Sequence, residues 1–390
     1  MHNIKVLNNI DQNGLDRFPK ESFLFNSEKQ EIDAIILRSH DLHNFKIPAS
    51  VKAIGRAGAG VNNIPIDKMS SRGVPVFNAP GANANAVKEL TIAALLISAR
   101  NICAARDYVN SIDLDDVNLK SSIEKGKKQF AGIELPGRTL GVIGLGSIGV
   151  NVANAALALG MKVIGFDPKV TVTNAWKLSS GVEKVDDLDV IFKRSDAVTV
   201  HVPLVEQTKN LINSECLNLL RKNSILINFS RGGVVNTTDV LTALNENLLS
   251  SFVCDFPEPA LIKHQKVIAL PHLGASTMEA EQNCAVMVAN NLIDYIENGN
   301  INYSVNFPTA VMNRVNGYRL TVANKNIPNM VGQISTYIAN AGLNIEDLLN
   351  KSFGDLAYTI VDLDAAIPAK IIDQISNIEG VLLVRNLGSS

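Results

Sequence analysis

Arg138-Thr-Leu-Gly-Val-Ile-Gly-Leu-Gly-Ser-Ile-Gly149 is the stretch whose reading decides the fold. Leu140 to Ile143 reads as a short buried strand. Gly144, Gly146 and Gly149 follow in G-x-G-x-x-G spacing. The small residues from Val150 to Leu159 predict a helix, Gly160 stops it, and Met161 to Phe166 reads as a second apolar strand ending at Asp167.

Each position has a physical task. Gly144 permits the tight turn, Gly146 lets a pyrophosphate lie against bare backbone, and Gly149 lets helix and strand pack closely. The N-terminus of that helix offers N–H groups and a partial positive charge to phosphates. Asp167 lies 167 − 149 = 18 residues past the last glycine, close to the spacing of about 20 at which an acid meets the ribose hydroxyls. A carboxylate there repels a 2′-phosphate and so favours NAD over NADP. Alone the glycine pattern is weak. Strand, turn, helix, strand and terminal acid in order supply the context that makes it informative.

The chain has 390 residues, enough for two or three domains. Apolar residues make up 46% and charged residues 19%, as in a globular protein. A net charge of −2 gives no footprint for nucleic acid. Cys103, Cys216, Cys254 and Cys284 are widely spaced, without a C-x-x-C pair, and suggest neither disulfides nor a metal site. No apolar run reaches membrane-spanning length, and Met1-His-Asn-Ile-Lys5 has no apolar signal core. The expectation is a reduced, soluble, cytoplasmic protein.

Lys5 to Asn8, Ala34 to Leu37, Val51 to Ile54 and Val74 to Phe77 read as strands in a βα rhythm, which implies a small parallel sheet. Two polar spots end such strands: Arg38-Ser39, and Gly55-Arg-Ala-Gly-Ala-Gly60. Arg56 beside its glycine-rich turn reads either as an anion site or as a solvated arginine. From Asn83 to Arg106 a small, apolar, helical pattern is expected to cross between domains. Residues 110–135 are polar.

Beyond Asp167, strands are expected at Ala197 to Val202, Ser224 to Phe229, Phe252 to Cys254 and Val267 to Leu270, with a helix over Thr237 to Asn247. His201 and Pro203, Arg231, Asp255 and Glu258, and His272 fall at or just after these strands. Loops at the carboxyl ends of parallel strands share one edge, where ligands gather. Glu279 to Glu297 reads as a long helix, Tyr303 to Phe307 as a strand, and Pro308 and Asn313 to Gly317 as linker. Tyr318 to Ser390 then reads as βαββαβ, a ferredoxin-like module.

Four motifs together carry a resemblance: Gly55-Arg-Ala-Gly-Ala-Gly-Val-Asn-Asn63, Thr139 to Gly149, Asn228-Phe-Ser-Arg-Gly-Gly-Val-Val235 and Pro271-His-Leu-Gly-Ala-Ser-Thr277. The chain resembles the D-isomer-specific 2-hydroxyacid dehydrogenases, and its tail resembles an ACT domain. The resemblance implies an α/β protein of two doubly wound parallel-sheet lobes. One is a Rossmann NAD lobe at 86–274. The other is a flavodoxin-like substrate lobe made of 1–85 and 275–308. A ferredoxin-like regulatory domain follows at 317–390.

The same resemblance implies the roles. His272 is the catalytic acid–base, suited by a pKa near working pH, and Glu258 is its carboxylate partner. Arg231 grips the substrate carboxylate and polarises the C2 oxygen. Gly144, Gly146, Ser147, Ile148, Gly149, Asp167, His201, Pro203 and Asp255 hold NAD. Arg38, Arg56, Ala57, Gly58 and Asn83 line the substrate end, with Arg38 and Arg56 toward a phosphate and the Ala57-Gly58 backbone toward a carboxylate. Asn324, Asn326 and Asn344 fall where an amino-acid effector such as L-serine is bound. Lys127 is the nearest match to a basic residue supplied by a neighbouring subunit. Asn329 stands where a glycine is usual.

The implied reaction is NAD-linked oxidation of 3-phospho-D-glycerate to 3-phosphohydroxypyruvate, which opens L-serine synthesis, in a homodimer or homotetramer without nucleic acid or membrane partners. Another D-2-hydroxyacid without a phosphate, and a non-catalytic NAD-sensing binding module, remain the competing readings.

Overall fold

The computed structural model describes residues 1–28, 30–113, 119–314 and 317–388. Parts of two expected segments, 114–118 in the polar stretch and 315–316 in the linker, lie outside the described residues, as do 389–390 at the end of the tail module. The chain divides into two compact units, residues 1–83 with 278–390, and residues 84–277.

In the first unit, β1 (His2–Leu7), β2 (Phe23–Phe25), β3 (Ala34–Leu37), β4 (Ala53–Arg56) and β5 (Val76–Phe77) form a sheet of order β2-β1-β3-β4-β5. All its neighbours pair in parallel. β3 is apolar along its whole length and wholly buried, as expected of a strand covered on both faces. The Met278–Asn298 helix packs against this sheet, with Val288 and Leu292 pressed onto Gly55. The strand expected at Tyr303 to Phe307 is corrected to a bend that makes one bridge, Ser304 to Phe77. Tyr303 has φ +53°, incompatible with extended pairing. The Asn306 side chain replaces a backbone partner by accepting from Val76 N–H at 2.9 Å.

The second unit holds β6 (Thr139–Ile143), β7 (Lys162–Phe166), β8 (Val182–Lys184), β9 (Ala197–Val200), β10 (Ser224–Asn228), β11 (Leu249–Cys254) and β12 (Val267–Ala269). Their order is β12-β11-β10-β9-β6-β7-β8, all parallel. The order reverses between β6 and β9, the switch point at which doubly wound sheets bind ligands. The helical pattern from Asn83 breaks at Asn101, left-handed at φ +51°, so two helices form, Ala84–Ala99 and Ile102–Ser111. The first buries Val87, Leu95 and Ala99 in the core beside β6. The second buries none of its residues.

The tail forms β13 (Tyr318–Lys325), β14 (Ile345–Phe353), β15 (Leu356–Leu363) and β16 (Val381–Leu387), an antiparallel sheet of order β14-β15-β13-β16. Helices Met330–Asn340 and Ala369–Ser376 cover one face through Leu320, Val322, Ile334, Ile338, Val361 and Ile375. Ala323, Tyr358 and Ile360, on the other face, join Phe77, Tyr295 and Phe307 in the core of the first unit. Strands β13 and β15 are thus buried on both sides, whereas β14 at the edge has no buried residue.

Arginines fasten that junction. The last four carbonyls of the Met278–Asn298 helix, normally orphaned, all accept from guanidinium groups. Arg385 donates to Tyr295 O at 2.8 Å and Ile296 O at 2.7 Å. Arg314 donates to Glu297 O at 3.3 Å, and Arg319 to Asn298 O at 2.9 Å. Positive charge at a helix C-terminus also suits the macrodipole. Arg319 is itself paired with Asp362 through two hydrogen bonds of 2.6 and 2.8 Å, and both side chains are fully buried.

Candidate active site

The glycine turn is built as a phosphate cradle. Gly144 N–H donates to Phe166 O at 2.9 Å and so ties the turn to the end of β7. A Cβ at Gly149 would lie 1.9 Å from Gly144 O, so only glycine lets the helix start this close to β6. A Cβ at Gly146 would meet nothing within 4 Å. Gly146 is the N-cap of the Ser147–Ala158 helix and brings no side-chain cap, so no cap side chain takes up the first-turn N–H groups. Asp167 sits beside them, its Oδ2 accepting Leu145 N–H and its Oδ1 accepting Lys169 N–H, both at 2.8 Å. Anchored this way, the carboxylate keeps further lone pairs for a ribose. These residues fit a dinucleotide.

His201 follows β9 on the other side of the switch point. Its N–H donates to Ile143 O at 2.8 Å, and Nε2 shares a hydrogen bond of 3.0 Å with Thr199 Oγ1. Nδ1 is enclosed and has no partner among the described residues. Burial pushes the ring's pKa down to about 3, so it stays neutral through physiological pH. Pro203 is exposed, and its carbonyl accepts from Thr208 Oγ1 at 2.6 Å.

Three loops after β10, β11 and β12 carry the chemistry-bearing groups. Asn228, the last residue of β10, is buried. Its Nδ2 donates to Arg231 O at 2.8 Å, and its Oδ1 accepts from Ser230 N–H and Oγ. That side chain fixes the turn presenting Arg231, whose guanidinium also donates to Ser230 O at 2.7 Å. Asp255 is 2% exposed, and its two oxygens accept Leu273 N–H at 2.8 Å and Gly274 N–H at 2.7 Å. It therefore staples the loop carrying His272 to the end of β11.

His272 has φ +57°, a left-handed backbone, and its ring stands 4.7 Å from the Phe256 ring centre at 54°. Glu258 is exposed, and no hydrogen bond or ion pair joins it to His272 in this structure. The aromatic face of Phe256, not a carboxylate, is what the histidine ring meets here. Beside them, burial pushes the Cys254 thiol up to about 11, so it is inert as a nucleophile.

The first unit carries the expected anion groups. Arg38 follows β3 and Arg56 ends the adjacent strand β4. Arg56 Nε donates to Arg38 O at 3.1 Å, and Asn63 Nδ2 donates to the same carbonyl at 3.2 Å. The Arg38 guanidinium pairs with Glu281 Oε1 at 2.7 Å. The amides expected to take a carboxylate are already engaged: Ala57 N–H donates to Leu37 O and Gly58 N–H to Arg56 O, each at 2.8 Å. The turn folds back on its own strand ends, and among the described residues the amides of Ala59, Gly60 and Val61 have no partner. Asn83 is half-buried at the end of the first unit, one residue before the Ala84–Ala99 helix.

In the tail, Asn324 is buried, with Oδ1 unpartnered among the described residues and Nδ2 bonded to Lys325 O at 2.7 Å. Asn326 bonds Gly354 O at 3.2 Å, and Asn344 N–H donates to Asp364 Oδ1 at 2.9 Å. Asn329 has φ +63°, the left-handed geometry for which asparagine is the usual substitute for glycine. Lys127 is exposed and paired with Glu124.

Asn228, Phe256 and Glu281 were not marked by the sequence reading. Asn228 had a readable signal, an Asx side chain ending a strand before a turn. Glu281 had none, because its partner Arg38 lies on a distant strand.

Comparison with known proteins agrees with this architecture. The family profile described as "D-isomer specific 2-hydroxyacid dehydrogenase, NAD binding domain" matches residues 92–274. D-3-phosphoglycerate dehydrogenase of Methanocaldococcus jannaschii is 35% identical over 322 residues, 80% of this chain and 57% of that protein. The chain thus spans little more than half of that relative's length. The protein of the same name from Escherichia coli K12 is 32% identical over 349 residues, 86% of this chain and 81% of that protein. The fold is shared with NAD+-bound 3-phosphoglycerate dehydrogenase of Entamoeba histolytica, at TM-score 0.60 and 24% identity over 78% of this chain and 98% of that one. It is shared as well with D-mandelate dehydrogenase of Rhodotorula graminis, at TM-score 0.66 and 21% identity over 80% and 99%. With the switch-point cradle, the ordered loops and this similarity in hand, the chain belongs to the D-isomer-specific 2-hydroxyacid dehydrogenase family.

Proposed function

We propose that this chain is an NAD-dependent oxidoreductase that converts 3-phospho-D-glycerate to 3-phosphohydroxypyruvate, the opening step of L-serine biosynthesis. The observation that carries the reading is the pairing of an NAD cradle at Gly146 and Asp167 with the Arg231 and His272 loops held beside it by Asn228 and Asp255. The names of the M. jannaschii and E. coli relatives support the substrate. Residues 1–85 and 275–308 are assigned to the substrate lobe, 86–274 to the NAD lobe, and 317–390 to a regulatory domain.

Ser147 and Ile148 N–H groups would hold the pyrophosphate and Asp167 the adenosine ribose. His201, Pro203 and Asp255 would line the rest of that edge. NAD supplies the hydride acceptor when bound. Arg231 binds the substrate carboxylate with its planar fork and draws charge from the C2 oxygen. His272 Nε2 or Nδ1 takes the C2 hydroxyl proton and returns it in the reverse direction. Glu258 serves as the carboxylate partner once a substrate draws the loop together. Arg38, Arg56 and the Ala59–Val61 amides, with Asn83, receive the phosphate end.

Exposed Ile102, Val109 and Ile123, on helices that bury almost nothing, support self-association of the NAD lobe as a homodimer or homotetramer. Lys127, near them in sequence, would serve a neighbouring subunit. Asn324 Oδ1, unpartnered among the described residues, supports with Asn326 and Asn344 an amino-acid effector such as L-serine. Four free cysteines fit a reducing, cytoplasmic setting.

NADH formation with 3-phospho-D-glycerate, measured against D-lactate and D-glycerate with and without L-serine, tests the proposal. A preference for the phosphorylated acid supports it. Equal use of all three overturns the substrate, and no turnover with any of them overturns the enzyme.

A further inference from the structure

We infer that Glu281 sets the charge specificity of the Arg38 anion site, masking the guanidinium until a phosphate displaces it. The inference rests on the reading of Arg38 as a phosphate ligand. Arg38 is fixed at its backbone, where its carbonyl accepts from both Arg56 Nε and Asn63 Nδ2. Only its side chain can move. Glu281, in the first turn of the Met278–Asn298 helix, meets that side chain at 2.7 Å. The backbone behind Glu281 is held as well, because Ala285, Val288 and Leu292 of the same helix are buried against the sheet. The two charges thus face each other across a gap set by two rigid elements.

The pair is built to be opened. Its side chains are 37% and 42% exposed, and ion pairs so hydrated contribute only about 0.2–1 kcal/mol. A phosphate brings nearly two charges and three strong acceptor oxygens, enough to take Arg38 from a single carboxylate. A short hydroxyacid has only one carboxylate. Bound to a bare Arg38, that carboxylate would take the place meant for the phosphate. Glu281 removes that trap by presenting such acids with a neutral pair. The cost is a carboxylate left close to every phosphate that binds.

The test compares wild type with Glu281→Gln, Arg38→Ala and the double variant at fixed ionic strength. Two quantities are read: calorimetric Kd for 3-phospho-D-glycerate, and KM and kcat at saturating NAD. Glu281→Gln is expected to tighten Kd and lower KM about three- to fivefold, the upper end of what a half-exposed pair supplies, with the effect confined to KM. D-Glycerate should inhibit the same variant more strongly by a similar factor, about three- to fivefold. Both changes should vanish when Arg38→Ala is added. Glu281→Ala, measured alongside, should reproduce the direction.

If Arg38→Ala weakens the phosphorylated substrate while Glu281→Gln leaves Kd and KM unchanged or raises them, the masking role is overturned and the phosphate reading stands. If Arg38→Ala changes neither constant, the phosphate reading falls and the inference falls with it. If the Glu281→Gln gain persists without Arg38, Glu281 acts on the substrate directly and the mask is wrong.

Discussion

Replacing Asp255 with asparagine removes one of the two carboxylate oxygens that hold the His272 loop. In the native protein these oxygens accept Leu273 N–H at 2.8 Å and Gly274 N–H at 2.7 Å, with the side chain 2% exposed. The amide can serve one of those donors, but its NH2 group must then face the other. The loss is one hydrogen bond to a charged acceptor, about 1.5–3 kcal/mol, together with part of the penalty for a buried, unmatched donor. A total of about 2–4 kcal/mol follows for Asp255→Asn, and more for Asp255→Ala, which abandons both donors. For a unit of this size each kcal/mol lowers Tm by about 2–4 °C, so the asparagine variant should melt roughly 4–16 °C lower. Catalysis should suffer further, because a displacement of about 1 Å in a reacting group can cost about a hundredfold. Scanning calorimetry gives the first quantity, and kcat with 3-phospho-D-glycerate at saturating NAD gives the second. Saturation separates the staple from any contact of Asp255 with the cofactor, which would appear in the NAD Kd. A Tm within about 2 °C of wild type, with kcat unchanged, would refute the staple.

The other predictions use different parts of the molecule. Gly146→Ala adds a methyl where nothing stands within 4 Å, so thermal stability should hold while NAD affinity falls at least about tenfold; unchanged affinity would show that the pyrophosphate lies elsewhere. Asp362→Ala leaves Arg319 buried without its counter-charge and should cost about 3–5 kcal/mol, read by chemical denaturation; a loss of under about 1 kcal/mol, the range of an exposed pair, would remove the buried pair from the account. Burial alone would raise the Asp33 pKa, but hydrogen bonds from His2, Lys52 and Asn3 N–H, with the Lys52 charge, hold it well below the usual carboxylate range. The folded pKa is depressed, so this stabilisation is present above about pH 4 and fades as the pH falls below it. Asp33→Asn should therefore flatten the acid limb of the stability curve, and an unchanged limb would remove Asp33 from the account.

Elements with a local signature were legible in the chain. The glycine spacing and the apolar runs around it placed β6, the Ser147–Ala158 helix and β7 within a few residues, because turn, helix start and strand period are short-range properties. The tail's βαββαβ order was legible for the same reason. Illegible features depended on what the chain meets after folding. Nothing near Tyr303 announces that Asn306 will substitute for a strand partner. Nothing near Arg38 announces Glu281. Ala57 and Gly58 looked like open amides, but the fold pairs both with neighbouring backbone. The tail looked like a module on a linker, while its second face proved to be core.

That second face has an evolutionary consequence. A domain joined only by a linker can be gained, lost or exchanged by recombination near the joint, since each piece keeps its own interior. Here a break before β13 would strip Arg319 and Arg385 from Asn298, Tyr295 and Ile296, and would expose Phe77, Tyr295 and Phe307 to water. The arginines are donors that water replaces poorly for carbonyls still buried among apolar side chains. Descendants of this chain can vary the exposed surface of the tail one residue at a time, but they inherit its presence as a condition of folding. The tail is held in the lineage by the stability of the residues before it, whether or not it senses anything.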